Sequence, residues 1–390
     1  MITRSTFLRG AVAAAGASAL TPVAAGAHPG GGASSPSKPL GDGPAGTSPA
    51  ESPGFGPVPD TCPRIERMAP VTGPGVTTRF RMEATDLGAP AVTPDGRSLF
   101  IFGDTFEDAV VGGGFWRSPV GLYADPDVPL DGGIRWTSAV GGETAEQLVP
   151  YEHDDDPVST ILPGDIITIG DTMYLWMMVN HGFPTVGSTE IWTSTDSGET
   201  WDRTAEMFPG DHLGGFMQQC TWFRAPAEHY VYLLTTGFQR DKGVLLHRVP
   251  VDSVLDPGAY ETYGPGEESW GWGEEPAPVI DGAIGEMCLR IVDGEWVLTY
   301  FDAGNYRVDI LAADSPLEVR DATASTLLHG GDWGAEEHNV VAQLYGPYIV
   351  PGSTLEVMHL LCSQWRTGPD WPYHVEQFRI EDPLGRHCGD

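Results

Sequence analysis

The sequence predicts an all-β chain folded as a five-bladed β-propeller, and three observations carry that expectation. Glycine and proline are abundant, 51 and 34 of 390 residues, and they punctuate runs of β-branched and aromatic residues, the pattern of short strands joined by turns. Strand–turn–strand units recur with a loose period of roughly sixty residues, a size that suits four-stranded blades with long loops. The stretch STDSGETW, residues 194–201, has the S-x-D-x-G-x-T-W spacing of the Asp box, a hairpin turn found between the outer strands of propeller blades. A β-sandwich with long insertions is also all-β but leaves the recurrent hairpins unexplained.

Residues 1–27 read as an export signal, with a basic start, a run of small apolar residues and a small-x-small site at Ala25-Gly26-Ala27. TRSTFLR is similar to a twin-arginine signal in which Ser5 replaces one of the paired arginines. The apolar run is too short and too rich in Ala and Gly to span a membrane, so the expected location is secreted, outside the cell. Residues 28–60, rich in Gly, Pro and Ser with almost no large apolar residue, read as a flexible spacer. The folded domain is expected over residues 61–390.

Within it, TDLGAPAVTPDGRSLFIFGDTF gives a strand, an Asp95-Gly96 turn and a second strand running to Asp104. DIITIGDTMYLWMMVNH repeats the layout around Gly170-Asp171, and IGEMCLRIVDGEWVLTYFDAG repeats it around Asp293-Gly294. GGFMQQCTWFRAPAEHYVYLLTTGF and NVVAQLYGPYIVPGSTLEVMHLLCSQW are two further copies with longer turns. The Asp box falls in the outer hairpin of the second unit, where Trp201 is expected to pack between sheets. It therefore speaks for architecture rather than chemistry.

Of the five cysteines, Cys62 and Cys388 stand near the two ends of the folded part, where a bridge would help close a ring. Cys220, Cys288 and Cys362 lie in apolar runs and read as buried thiols. There is no C-x-x-C pair, H-E-x-x-H or G-x-S-x-G, which argues against a thiolate zinc site, a zincin or a serine hydrolase. The net charge of -33, from 54 acidic and 21 basic side chains, repels phosphate backbones and argues against nucleic acid. A monomer without membrane insertion is expected.

In an antiparallel hairpin the start of the first strand and the end of the second lie at one rim. Asp86 and Asp104 are therefore expected to face each other at the mouth of the central channel, as a catalytic pair. The same count puts Asn180, His181 and Asp302 near that mouth, and Gln218, Gln219, Glu286, Asn339 and Gln343 on the other inner strands. Such a ring of acids and amides suits sugar binding, and Trp270 of ESWGWGEE offers an indole face for stacking. Two carboxylates at one rim suit glycoside hydrolysis, one protonating the leaving oxygen and the other activating water or attacking carbon; Glu286 is a candidate third acid. Sialidase chemistry would need an arginine cluster, whereas Arg290 is the only obvious arginine on these hairpins. No cofactor is required, and a structural Ca²⁺ in the channel stays open.

TDLGAP, LFIFGDTF and WRSPVGLY together resemble the opening blade of an actinobacterial secreted family, formerly of unknown function, of endo-D-arabinanases. The likeness runs through most of the chain after the spacer. It implies a five-bladed propeller that cleaves internal α-D-arabinofuranosyl linkages in the arabinan of mycobacterial arabinogalactan and lipoarabinomannan. It implies acid and base roles for Asp86 and Asp104. By analogy with similar five-bladed arabinanases the reaction inverts, Asp86 activating water and Asp104 protonating the leaving sugar, with the reverse order open. Two alternatives remain: a non-catalytic lectin-like propeller for cell-wall glycan, and an exo-acting or L-arabinan-directed glycosidase.

Overall fold

The computed structural model describes residues 54–153, 157–204, 206–226, 228–366 and 371–387. The expected export signal, most of the spacer and Cys388 lie outside them. The described chain is all-β, as its composition predicts, and its strands fall into five antiparallel runs of four, the third and fourth joined in one sheet where Lys242–Pro250 pairs with Ile280–Val292. The first run is Leu87–Val92, Ser98–Phe102, Val120–Ala124 and Trp136–Ala139, and the second is Thr160–Ile169, Thr172–Asn180, Val186–Ser194 and Glu206–Pro209. The third comprises Gln219–Phe223, Tyr230–Thr236, Lys242–Pro250 and Glu261–Pro265, with Trp270–Trp272 added at its edge. The fourth comprises Ile280–Val292, Glu295–Asp302, Arg307–Ala313 and Ser325–Gly331, with Val340–Ala342 parallel at the edge. The fifth takes Leu344–Ile349, Val357–Trp365 and Tyr373–Glu381 from the end of the chain and Arg64–Pro70 from its beginning.

The first strands of the five runs touch in cyclic order, 87–92 against 160–169, then 219–223, 280–292 and 344–349, and back to 87–92. A strand in that position is covered on both faces, so it reads as a continuous buried run: all six residues of Leu344–Ile349 are buried. The peripheral Glu206–Pro209 is exposed at both ends. The turns predicted between first and second strands form where the sequence supplies left-handed conformers, Gly96 at φ 87°, Gly170 at 60°, and Asp293 and Gly294 at 51° and 91°.

The Asp box folds as its spacing dictates. Asp196 accepts hydrogen bonds from the Thr200 amide (2.9 Å) and hydroxyl (2.6 Å), and Ser194 Oγ accepts from the Gly198 amide at 2.9 Å. Trp201 is buried in the main core, and Tyr123 of the first run donates to the Ser197 carbonyl at 3.0 Å. The turn thus wedges between the first and second runs. Cys62 is disulfide-bonded, whereas Cys220, Cys288 and Cys362 are free and buried.

One polar group of contacts ties the inner strands together. Arg290 of the fourth run donates to both carboxylate oxygens of Asp165 in the second, each at 2.8 Å, and to the Pro90 carbonyl of the first at 2.9 Å. Thr221 of the third run donates to Asp165 at 2.7 Å, and Tyr348 of the fifth donates to the Gly164 carbonyl at 2.9 Å. Burial alone would lower the Arg290 guanidinium, but the Asp165 carboxylate outweighs it and holds Arg290 above its usual range.

Candidate active site

The register of the first hairpin, with Leu87 opposite Phe102, brings Asp86 and Asp104 to the same end of the channel, and the Gly103 amide donates to the Asp86 carbonyl at 3.1 Å. Gly103 is required there, because a Cβ would collide with Asp86 Oδ1. Both acids open on a cavity of about 480 Å³ also lined by Glu286, Arg240, Gln219, Tyr345, Tyr373 and Trp365, with Phe183 and Phe238 on its wall.

Asp104 is 5% exposed, and its Oδ1 accepts from Trp116 Nε1 at 2.9 Å and Thr160 Oγ1 at 2.8 Å. Trp116 is fixed by stacking between His153 (3.9 Å between centroids) and Phe106 (5.8 Å). Burial pushes His153 down to about 4, so this prop is neutral near pH 7. Asp86 Oδ2 accepts from the Tyr345 hydroxyl at 3.0 Å, while Oδ1 accepts nothing. Burial, and next the charge of Asp104, push Asp86 up to about 7, against the opposing pull of Tyr373 and Tyr345. Opposite them, Glu286 Oε1 takes two hydrogen bonds from Arg240, at 2.7 and 3.2 Å, and its buried Oε2 takes none. Arg240 also lies over the Tyr345 ring at 4.9 Å, which joins the Glu286 side of the cavity to the Asp86 side.

Glu286 and Gln219 therefore line the cavity with the aspartate pair, and the other expected sugar contacts lie elsewhere. Asn180 is buried as the register partner of Thr160, behind Asp104. His181 is exposed and covers Gly187. Gln218 uses its amide on the Gly210 carbonyl (2.7 Å) and the Phe238 amide (2.9 Å). Asp302 closes a turn by accepting from the Asn305 amide and side chain at 3.0 and 2.6 Å. Asn339 uses its carbonyl to hold the His329 amide at 2.8 Å, and Gln343 is exposed in a left-handed conformation, φ 52°. Trp270 sits on the outermost strand of the third run, with Arg320 4.6 Å over its ring.

Sequence reasoning missed Arg240, Tyr345 and Tyr373. Arg240 lies in a turn rather than on an inner strand, and the tyrosines carry no motif. Among the described residues no group of three or more His, Cys, Asp or Glu side chains is arranged to hold a metal, and no helix is long and apolar enough to cross a membrane.

The family described as a domain of unknown function, DUF4185, matches residues 72–379. The chain belongs to the DUF4185 family. This DUF4185 protein is 29% identical over 336 residues to an uncharacterized 35.9 kDa protein of Mycolicibacterium smegmatis, covering 82% of this chain and 98% of that one. It is 30% identical over 313 residues to notoamide biosynthesis cluster protein J of an Aspergillus species, covering 74% and 81%. Among solved structures, the fold resembles a protein of Bacteroides ovatus (TM-score 0.56, 12% identity, 80% of this chain and 90% of that one). It also resembles a family 117 glycoside hydrolase of Zobellia galactanivorans (TM-score 0.53, 12% identity, 83% and 91%).

Proposed function

We propose that this DUF4185 chain is a secreted glycoside hydrolase, a five-bladed β-propeller that cleaves internal α-D-arabinofuranosyl linkages of mycobacterial arabinogalactan and lipoarabinomannan. The observation that carries the reading is the convergence of Asp86, Asp104 and Glu286 on one cavity, with Asp86 held near 7 beside Asp104. Two carboxyl groups whose environments differ are what glycoside hydrolysis asks for. The closed ring of five inner strands supports the propeller, the likeness to a family 117 glycoside hydrolase agrees with it in fold, and the first-blade motifs supply the sugar.

The surroundings of the pair favour Asp86 as acid and Asp104 as base, the reverse of the order the resemblance puts first. Asp86 retains a proton close to neutral pH, and that proton belongs on Oδ1, the oxygen that no protein donor occupies. Asp86 gives it to the leaving glycosidic oxygen as the C–O bond breaks. Asp104, oriented by Trp116 and Thr160, takes a proton from the water that forms the new C–O bond on the opposite face. Inversion follows, and both carboxyl groups return to their starting states by exchange with solvent. Water is the only co-reactant.

The test is incubation with mycobacterial arabinogalactan beside folded Asp86→Asn and Asp104→Asn variants, with products separated by size. A ladder of oligosaccharides from the parent, lost in both variants, is the expected result. Monosaccharide without a ladder would mean exo-cleavage. Binding without products would mean a lectin.

A further inference from the structure

Four buried polar atoms without a hydrogen-bond partner belong to residues lining the one cavity that holds Asp86 and Glu286: Asp86 Oδ1, Glu286 Oε2, Gln219 Oε1 and Trp365 Nε1. An unpaired buried polar atom forfeits its hydration without a return, and folded proteins keep few of them. Their concentration here marks a surface built to be completed by a ligand. Asp86 Oδ1 is accounted for by proton delivery, which leaves two acceptors and one donor.

We infer that Gln219 and Trp365 determine specificity by reading ring hydroxyls of a neutral sugar seated between Asp86 and Glu286. This rests on the glycoside hydrolase reading above and deepens it. Gln219 is 3% exposed at the start of Gln219–Phe223, directly after Gln218. The pair divides its work: Gln218 uses its amide on the protein's own Gly210 and Phe238, and the Gln219 carbonyl oxygen is left for a hydroxyl. Trp365, at the end of Val357–Trp365, aligns with Tyr373 across the hairpin and supplies the indole N–H as the matching donor. A polyhydroxylated ring is the chemical class that offers donors to two acceptors and an acceptor to one donor within a single residue's span.

Charge sets the other limit on the occupant. The cationic side chain lining the cavity is Arg240, and Glu286 neutralises it at 2.7 Å. The remaining charged lining residues are Asp86, Asp104 and Asp241. A uronate or other carboxylated sugar would meet an excess of carboxylates, with Arg240 already engaged by Glu286, so the site takes neutral rings.

The experiment compares the full chain with Gln219→Leu and Trp365→Phe on mycobacterial arabinogalactan, following kcat and KM, pH profile and Tm, with polygalacturonate as the anionic polymer. The expected result is a fall of about tenfold or more in kcat/KM for each variant, an unchanged alkaline limb, and a Tm equal to or above the parent's. A structural role would lower Tm instead, because a satisfied group would have been removed. Parent-like kcat/KM in both variants, a lowered Tm that accounts for the loss, or cleavage of polygalacturonate would overturn the inference while the hydrolase reading stood. A parent that releases nothing from arabinogalactan or any neutral polysaccharide would overturn both.

Discussion

Buried Asp165 on one inner strand and the acids gathered at the cavity have opposite fates. Asp165 is fully buried and meets a guanidinium face to face, with Thr221 and the Ile166 amide as further donors, so both its oxygens are satisfied by the protein. At the other site four carboxyl groups line the cavity with one arginine, and Arg240 reaches a single oxygen of Glu286. The first arrangement locks strands together. The second leaves oxygens for something else to engage and lifts Asp86 to about 7. Burial alone therefore does not separate structural from chemical acids in this protein; completion of their hydrogen bonding does.

Five experiments press on that contrast, from the largest expected effect down. Asp104→Asn and Asp86→Asn should each lower kcat/KM on arabinogalactan by about 10²–10⁴ without unfolding the chain, as read by reducing-sugar release and circular dichroism; parent-like rates would remove the distinction. Arg290→Met should instead cost about 3–5 kcal/mol of stability, because it strands Asp165, and adding Asp165→Asn should recover part of it in chemical denaturation. Asp86→Asn should raise Tm by a pH-dependent amount. The folded Asp86 value lies above the unfolded one, so its ionisation opposes folding. The gain should be absent below about pH 4, grow up to about pH 7 and stay level beyond. The parent's kcat/KM should also fall above about pH 7, as the acid form is lost. Asp196→Ala, in the Asp box, should cost only about 1 kcal/mol and leave kcat/KM unchanged.

The hairpins were legible because they depend on local chemistry: Asp95-Gly96 and Asp293-Gly294 need left-handed conformers that few other dipeptides supply. The Asp86–Asp104 juxtaposition followed from antiparallel pairing across one such short turn. Counting outward from turns failed further along, where inner strands carry register shifts close to the cavity, at Pro163/Ile166, Ile284/Met287 and Tyr345/Tyr348. Each shift changes which alternate residue faces inward. Gln219 rather than Gln218 reaching the cavity shows how a single position decides a role. Trp116 carries no mark of its role in the sequence, because no sequence rule tells an indole that stacks on sugar from one that props an acid. Asp165 left a usable trace that went unread: a lone acid inside LPGDIITI, with Arg290 the only obvious arginine on comparable strands.

The fifth sheet draws its outermost strand, Arg64–Pro70, from the start of the domain and the other three from its end. Until residue 381 has been synthesised, that sheet has an open seam, and the ring beside it has no neighbour on one side. Native pairing therefore comes late in the life of the nascent chain and spans about the longest separation the domain offers, a topology that slows folding. Losing Tyr373–Glu381 would leave Arg64–Pro70 with no strand to pair, so the end of this domain holds its beginning in place.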